Sequence, residues 1–159
     1  MKNNRPKIEF VLINSNSSDK CLDFMRLGYE YMKETASDCS LQVHEKFLNS
    51  IINKQNENTR WLILLKVDGI SVGFIHAKID KDERIDWGYI MEFYIHPCYR
   101  RKGLGINLYD FIKQKFISYG IKDVWLTADK INGEPFWFSL GFIDTGKMEN
   151  EMKVLRIKI

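Results

Sequence analysis

Three consecutive cations, Arg100, Arg101 and Lys102, stand directly before two glycines, Gly103 and Gly105, at the start of an amphipathic run. That grouping suits an anion. A helix N-terminus exposes unpaired backbone N–H groups and carries partial positive charge. Glycines lack a Cβ, so an anion can close on such a backbone, and arginine can grip phosphate oxygens with two parallel hydrogen bonds. The chemistry indicated is binding of a phosphate or pyrophosphate. Two common phosphate motifs are excluded. No Gly-Lys-Ser/Thr follows at P-loop spacing, and Leu108 occupies the place of the third glycine of G-x-G-x-x-G.

Other reactive side chains form no pattern. His44, His76 and His96 are scattered and match no metal-ligand spacing, so no metal is expected. Cys21, Cys39 and Cys98 include no C-x-x-C and read as free thiols in a reducing compartment, which makes the cytoplasm the expected location. The net charge of +3 is too small for a nucleic-acid partner when the cations gather in one loop. The run Trp61 to Leu65 is far too short to span a bilayer, and the opening "MKNNRPKIEF" lacks a signal-peptide apolar stretch, so no membrane partner is expected. A length of 159 residues suits a single domain over 1–159 with a sizeable core.

The elements that must position the loop follow from periodicity. Residues 7–14 read as a strand, and "SNSSD" offers helix caps before a helix from about Ser18 to Thr35. Cys21, Met25, Gly28, Tyr29, Met32 and Ala36 form its expected apolar stripe. A second helix is expected from Leu41 to Lys54, with Val43, Phe47, Leu48, Ile51 and Ile52 on its apolar side. "RWLILLKV" and "ISVGFIHAKI" read as strands joined by the hairpin signal Asp68-Gly69. "DKDERID" reads as a charged loop. A strand from Tyr89 to His96 is stopped by Pro97. Leu104, Leu108, Phe111, Ile112, Phe116 and Tyr119 line one face of the next helix. "DVWLTA" (a strand), "GEPFWFSL" (a short helix), "GFIDTG" and "MKVLRIKI" (two strands) complete the chain. The order β-α-α-β-β-β-α-β-α-β-β implies an α/β protein with a mixed sheet covered by helices. In such sheets ligands bind at strand C-termini near a helix N-terminus, where the cationic loop lies.

Arg100-x-x-Gly103-x-Gly105, after a strand ended by Pro97 and before an amphipathic helix, resembles the acyl-CoA pyrophosphate loop of the GNAT N-acetyltransferase family. "MEFYIHPCYRRKGLG" resembles that family's strand-then-loop signature, and "FWFSLGF" (Phe136 to Phe142) resembles its second signature, F-Y-x-x-L-G-F. The element order is similar to the GNAT fold, a central splayed mixed sheet flanked by helices, over most of the chain. The resemblance implies direct transfer of an acetyl group from acetyl-CoA to an amine, with no metal. By position it assigns the pyrophosphate to the backbone of Arg101, Lys102, Gly103, Leu104, Gly105 and Ile106, with Arg100 at the first motif position. It assigns the pantetheine arm to the backbone of Phe93, Tyr94 and Ile95. Phe136 and Trp137 would wall the CoA channel or serve as core aromatics. Lys130 replaces an asparagine common in the family, and Asn132 can substitute for it.

Such a transfer needs a base, because a primary amine with a pKa near ~10.4 is almost wholly protonated at pH 7. Glu92 is the expected base, on the strand before the loop, where many members of the family carry an acid; the alternative is a salt-bridging glutamate. Alternation puts Tyr94 on the same face, and Tyr94 and Tyr89 are expected in proton relay or substrate contact, or in packing. Trp137 stands where the family often has a tyrosine acid, and an indole N–H cannot serve. Either the thiolate leaves unassisted or through a water relay, another hydroxyl such as Tyr109 substitutes, or the chain has lost efficient catalysis; the first is the expectation. A covalent role for Cys98 is a minor alternative. A second functional class stays open: an acyl-CoA-binding module of the same fold with little catalysis, acting as a sensor or partner-binding domain. The expected acceptor is an amine-bearing small molecule or peptide, shaped by residues 18–58 and 80–88, where the acids and Trp87 lie; a homodimer is an option.

Overall fold

A computed structural model describes residues 4–159; the first three residues of the expected 1–159 domain lie outside the described residues. The elements run β1 (Ile8–Ile13), α1 (Ser18–Thr35), α2 (Leu41–Asn53), a 3-10 turn (Lys54–Asn56), β2 (Arg60–Val67), β3 (Ile70–Ile79) and β4 (Gly88–Ile95). A second 3-10 turn (Pro97–Tyr99) then leads to α3 (Leu104–Ser118), β5 (Asp123–Ala128), α4 (Gly133–Ser139), β6 (Ile143–Glu149) and β7 (Met152–Lys158). The order is the expected one. Seven strands form one open mixed sheet in the order β1-β2-β3-β4-β5-β7-β6. β1 and β2 pair antiparallel from Ile8↔Val67 to Ile13↔Leu62. β4 and β5 pair in parallel at Gly88↔Val124 and Tyr89↔Trp125. β5 pairs antiparallel with β7 along its whole length.

The described residues divide into two compact units: one runs up to His76 and includes Glu92–Leu108, the other comprises Ala77–Met91 and Tyr109–Ile159. In the first, Phe24, Leu27 and Met32 of α1, Leu48, Ile51 and Ile52 of α2, and Ile13, Leu62, Leu64, Phe74 and Tyr94 of the strands form one core. Gly28 lets the two helices close, since a Cβ there would stand 2.6 Å from Leu48 Cδ2. The turn between β2 and β3 has φ +49° at Asp68 and +81° at Gly69, the left-handed pair that a tight hairpin needs. The Asp68 carboxylate also accepts from Lys7 N at 2.8 Å, which ties the start of β1 to that turn.

Three helical faces differ from the expected stripes. On α1 the deepest residues are Phe24 and Leu27, with Cys21, Met25, Tyr29 and Ala36 half-buried at the margin. On α2, Val43 and Phe47 face solvent, and His44 is buried instead, its Nε2 2.7 Å from Ala36 O. A histidine that caps the carbonyl at the end of α1 displaces the two apolar residues from the packed face. On α3, Phe111 and Tyr119 are likewise exposed, and the buried line is Leu104, Leu108, Ile112 and Phe116, joined by Tyr109.

In the second unit Trp125 of β5 is the centre. It stacks on Tyr89 at 3.8 Å, lies 3.9 Å from the Arg84 guanidinium, and donates its indole N–H to Asp80 Oδ2 at 3.1 Å. The same Asp80 carboxylate accepts from the backbone N–H groups of Asp82, Glu83 and Arg84 at 3.0, 3.2 and 2.9 Å. The segment expected as a plain charged loop is therefore a built turn. β6 continues past its expected end at Gly146. That glycine has φ +81° and sits where the register with β7 shifts between Asp144 and Met148, a bulge rather than a stop.

Candidate active site

All the cationic-loop residues and the two expected catalytic residues lie in the first unit. β4 ends at Ile95, and Pro97 opens the 3-10 turn that His96 caps by accepting from Cys98 N at 3.2 Å. His96 thus serves the turn, with exposed Cys98 beside it. The chain then enters the loop. Arg100 is extended (φ −72°, ψ 160°), whereas Arg101 (φ +59°) and Gly103 (φ +80°) are left-handed. Left-handed residues at alternate positions turn successive N–H groups toward one side, the concavity that binds anions. A Cβ on Gly103 would meet nothing within 4 Å, so the surface above it is open. Gly103 O accepts from Asn107 N at 3.2 Å, and α3 begins at Leu104 with its first-turn N–H groups unclaimed by the helix itself. Arg101 and Lys102 are exposed, and Lys102 Nζ lies 5.5 Å from the Tyr99 ring. Leu104 is buried, Gly105 half-buried and Ile106 exposed.

Arg100 is otherwise engaged. Its Nε donates to Ile95 O at 2.7 Å, its Nη2 reaches both carboxylate oxygens of Glu34 on α1 at 3.0 and 2.8 Å, and its guanidinium lies 5.6 Å from the Tyr94 ring. The first motif position therefore fastens the loop to β4 and α1. Glu34 had no signal in the sequence beyond being one acid on a helix. Under Tyr94 and Ile95 the strands approach closely, because a Cβ at Gly73 of β3 would stand 2.5 Å from Tyr94 O.

Glu92 is half-buried on β4. Its Oε2 is 2.5 Å from His76 Nδ1 on β3, and His76 Nε2 is 3.1 Å from Nη1 of Arg60 on β2. Arg60 Nε in turn pairs with Glu57 at 2.9 Å. In the sequence His76 matches no metal-ligand spacing and Arg60 carries no functional signal. The one available signal was a histidine inside an otherwise apolar strand. Tyr94 is buried against Phe74 and Tyr31. Its hydroxyl finds no hydrogen-bond partner among the described residues. Burial, reinforced by Glu34 and only partly offset by Arg100, pushes that phenol up to about 12. It is a neutral donor over the whole working range. Phe93 is half-buried beside it.

The remaining expected residues lie in the second unit. Asn132 is exposed at the start of α4, where its N–H donates to the Asp129 carboxylate at 2.9 Å. Phe136 and Trp137 touch edge-on at 4.8 Å, and buried Trp137 also meets Tyr109 at 5.8 Å and Phe142 at 5.1 Å. The Tyr109 hydroxyl lacks a hydrogen-bond partner among the described residues, and burial pushes it up to about 12, with Asp110 adding to the rise. A phenol so reluctant to ionise is a poor acid toward a thiolate whose own thiol sits near ~8.5. Among the described residues, no three His, Cys, Asp or Glu side chains gather in a group that could hold a metal ion. No helix among them is long and apolar enough to cross a membrane.

A family model described as an acetyltransferase (GNAT) domain matches residues 24–157. No curated protein matches the sequence. Among solved structures, the PaiA N-acetyltransferase from Thermoplasma acidophilum in complex with coenzyme A superposes with a TM-score of 0.72 at 19% identity, over 96% of this chain and 99% of that one. An aminoglycoside 6'-acetyltransferase type Ii gives 0.74 at 16% identity, over 94% and 96%. The aminoglycoside acetyltransferase meta-AAC0020 from an uncultured soil metagenomic sample, in complex with sisomicin, gives 0.62 at 20% identity, over 94% of each chain. At these identities the likeness is one of fold.

Proposed function

The chain belongs to the GNAT acetyltransferase family, and on that footing we propose that residues 1–159 act as one acetyl-CoA-dependent N-acetyltransferase domain. It moves an acetyl group directly to an amine of a small molecule or peptide. The observation that carries this reading is the loop from Arg100 to Ile106. Left-handed Arg101 and Gly103 lead into the first turn of α3, above an open surface. Those residues fit a pyrophosphate by charge and by exposed N–H groups. Arg101, Lys102, Gly103, Leu104, Gly105 and Ile106 would hold it through their backbone, while Arg100 braces the loop through Glu34 and Ile95 O. The backbone of Phe93, Tyr94 and Ile95, together with Asn132, Phe136 and Trp137, completes the residues assigned to CoA. Free Cys21, Cys39 and Cys98 suit a reducing, cytoplasmic setting.

Acetyl-CoA supplies an activated thioester. The protein's part is deprotonation and placement. At pH 7 about one primary amine in a few thousand is neutral, and Glu92 removes the proton as general base. Tyr94, two residues along the same face of β4, keeps its neutral hydroxyl buried, so its part is packing beside the base rather than contact with the acceptor. Trp137 donates no usable proton, and a thiol of pKa about 8.5 departs adequately without one.

Trp137 also favours a second reading, an acyl-CoA-binding module with little turnover. The deciding experiment offers acetyl-CoA with spermidine, an aminoglycoside and a peptide bearing a free N-terminus, and follows CoA release and acceptor mass. The expected result is CoA release with an acetylated amine. Tight acetyl-CoA binding without turnover on any of the three would overturn the enzyme reading and support the module.

A further inference from the structure

We propose that His76 and Arg60 are positioning residues that hold Glu92 in one orientation, as a fixed clamp rather than a path for protons. The inference rests on Glu92 as the base. Three adjacent strands contribute one residue each: Arg60 on β2, His76 on β3 and Glu92 on β4. All three side chains are largely withdrawn from solvent, with 9%, 3% and 13% of their surface exposed.

The direction of each hydrogen bond follows from the chemistry of the outermost group. A guanidinium only donates. Nη1 of Arg60, at 3.1 Å, must therefore meet a lone pair on His76 Nε2. The imidazole proton then sits on Nδ1 and is donated to Glu92 Oε2 at 2.5 Å. An imidazolium would turn an N–H toward the N–H of Arg60, so the arrangement requires the neutral ring. Glu57, pairing with Arg60 Nε at 2.9 Å, fixes the guanidinium. The tautomer of His76 is thus set from β2 and delivered to β4.

Two consequences follow. Arg60 has no lone pair to receive a proton, so a proton captured by Glu92 cannot leave through His76. It must depart from the side of the carboxylate that His76 does not hold, which makes Oε1 the oxygen that faces the amine or its bridging water. The clamp also removes the rotamer freedom of a glutamate before the acceptor arrives. Catalysis gains when that ordering is done in advance.

The test has a spectroscopic arm and a kinetic arm. In the unmodified protein labelled with 15N-histidine, and assigned by substituting each histidine in turn, His76 should show the Nδ1–H tautomer with an unprotonated Nε2. An Nε2–H tautomer or an imidazolium overturns the proposal, whatever amine is used. In the kinetic arm, with whichever of the three amines turns over fastest, His76→Leu should lower kcat by about tenfold or more, an amount typical of a disturbed general base, with the KM for acetyl-CoA unchanged. His76→Asn places an amide N–H where Nδ1–H was and should restore most of that loss. A wild-type kcat in His76→Leu, alongside a fall in Glu92→Gln, overturns the clamp and leaves the base standing. A wild-type kcat in Glu92→Gln overturns both.

Discussion

At Gly103 a single hydrogen atom separates a binding loop from an obstructed one. With φ +80° and open space where a Cβ would stand, Gly103→Val should strain the backbone by about 1 kcal/mol. It should also raise the acetyl-CoA KM sharply while leaving a folded protein, as thermal melting alongside steady-state kinetics would reveal; an unchanged KM removes the pyrophosphate from this loop. Glu92→Gln should lower kcat by about 10²- to 10⁴-fold, the range of general-base contributions, with the acetyl-CoA KM intact. Trp137→Tyr addresses the leaving group. If the thiolate departs unaided, restoring a phenol should change kcat by less than about threefold, because proton donation to a good leaving group gains little. A large gain would show that the missing acid limits the native protein. The loop residues were legible in the sequence because glycine and arginine act through local backbone and charge. The partners of Glu92 and Arg100 were not. His76, Arg60 and Glu34 lie 16, 32 and 66 residues from the groups they serve, and only strand register or helix docking brings them there.

Between the residue and the fold, single side chains organise whole elements. Asp80 holds the turn between β3 and β4 by accepting three backbone N–H groups and the Trp125 indole. Asp80→Ala should cost about 3 kcal/mol, as expected for losing several charge-assisted hydrogen bonds at a buried site, measurable by urea unfolding. Gly73 has the converse role, that of leaving space. A Cβ there would press on the Tyr94 carbonyl, which is backbone and cannot swing away. Gly73→Ala should therefore destabilise by about 1–3 kcal/mol, the range for overpacking, and should disturb acetyl-CoA binding along β4 as well. Element types and order could be read directly, because periodicity and the Asp68-Gly69 turn are local signals. Burial on α1 and α2 could not be read as well. Apolar residues cover more than one face of each helix, and the packed face is chosen by neighbours: Leu48 against Gly28, and His44 against the end of α1.

The stability of the molecule as a whole should be bounded by pH at both ends. Burial pushes the Asp80 carboxyl up, but the N–H groups of Arg84, Asp82 and Glu83 and the Trp125 indole outweigh it and hold the group below the usual carboxylate range. Its folded value lies under its unfolded one near ~3.9. Its contribution is therefore complete above that value and is lost as pH falls through the folded value. Tyr94 and Tyr109 act in the opposite sense. Both phenols are pushed up to about 12, mainly by burial. Their contribution is complete below the unfolded value near ~10, and on the order of 2 kcal/mol each is lost as pH rises from there toward 12. Melting temperature should hold level from about pH 5 to about pH 10 and fall on either side. Asp80→Asn should lower the plateau and flatten the acid limb. The sheet order itself, with β7 inserted between β5 and β6, was reachable only through likeness to a known fold, because nothing local dictates which strand a terminal hairpin presents. That choice makes β6 an edge strand, as β1 is at the other end of the sheet, and its glycine bulge breaks the row of backbone donors and acceptors that an edge strand displays. Growth of one molecule's sheet onto another's needs such a row intact. The kink at Gly146 thus makes this edge a poor template for such growth, and a variant that irons it flat should be tested first for fibrils.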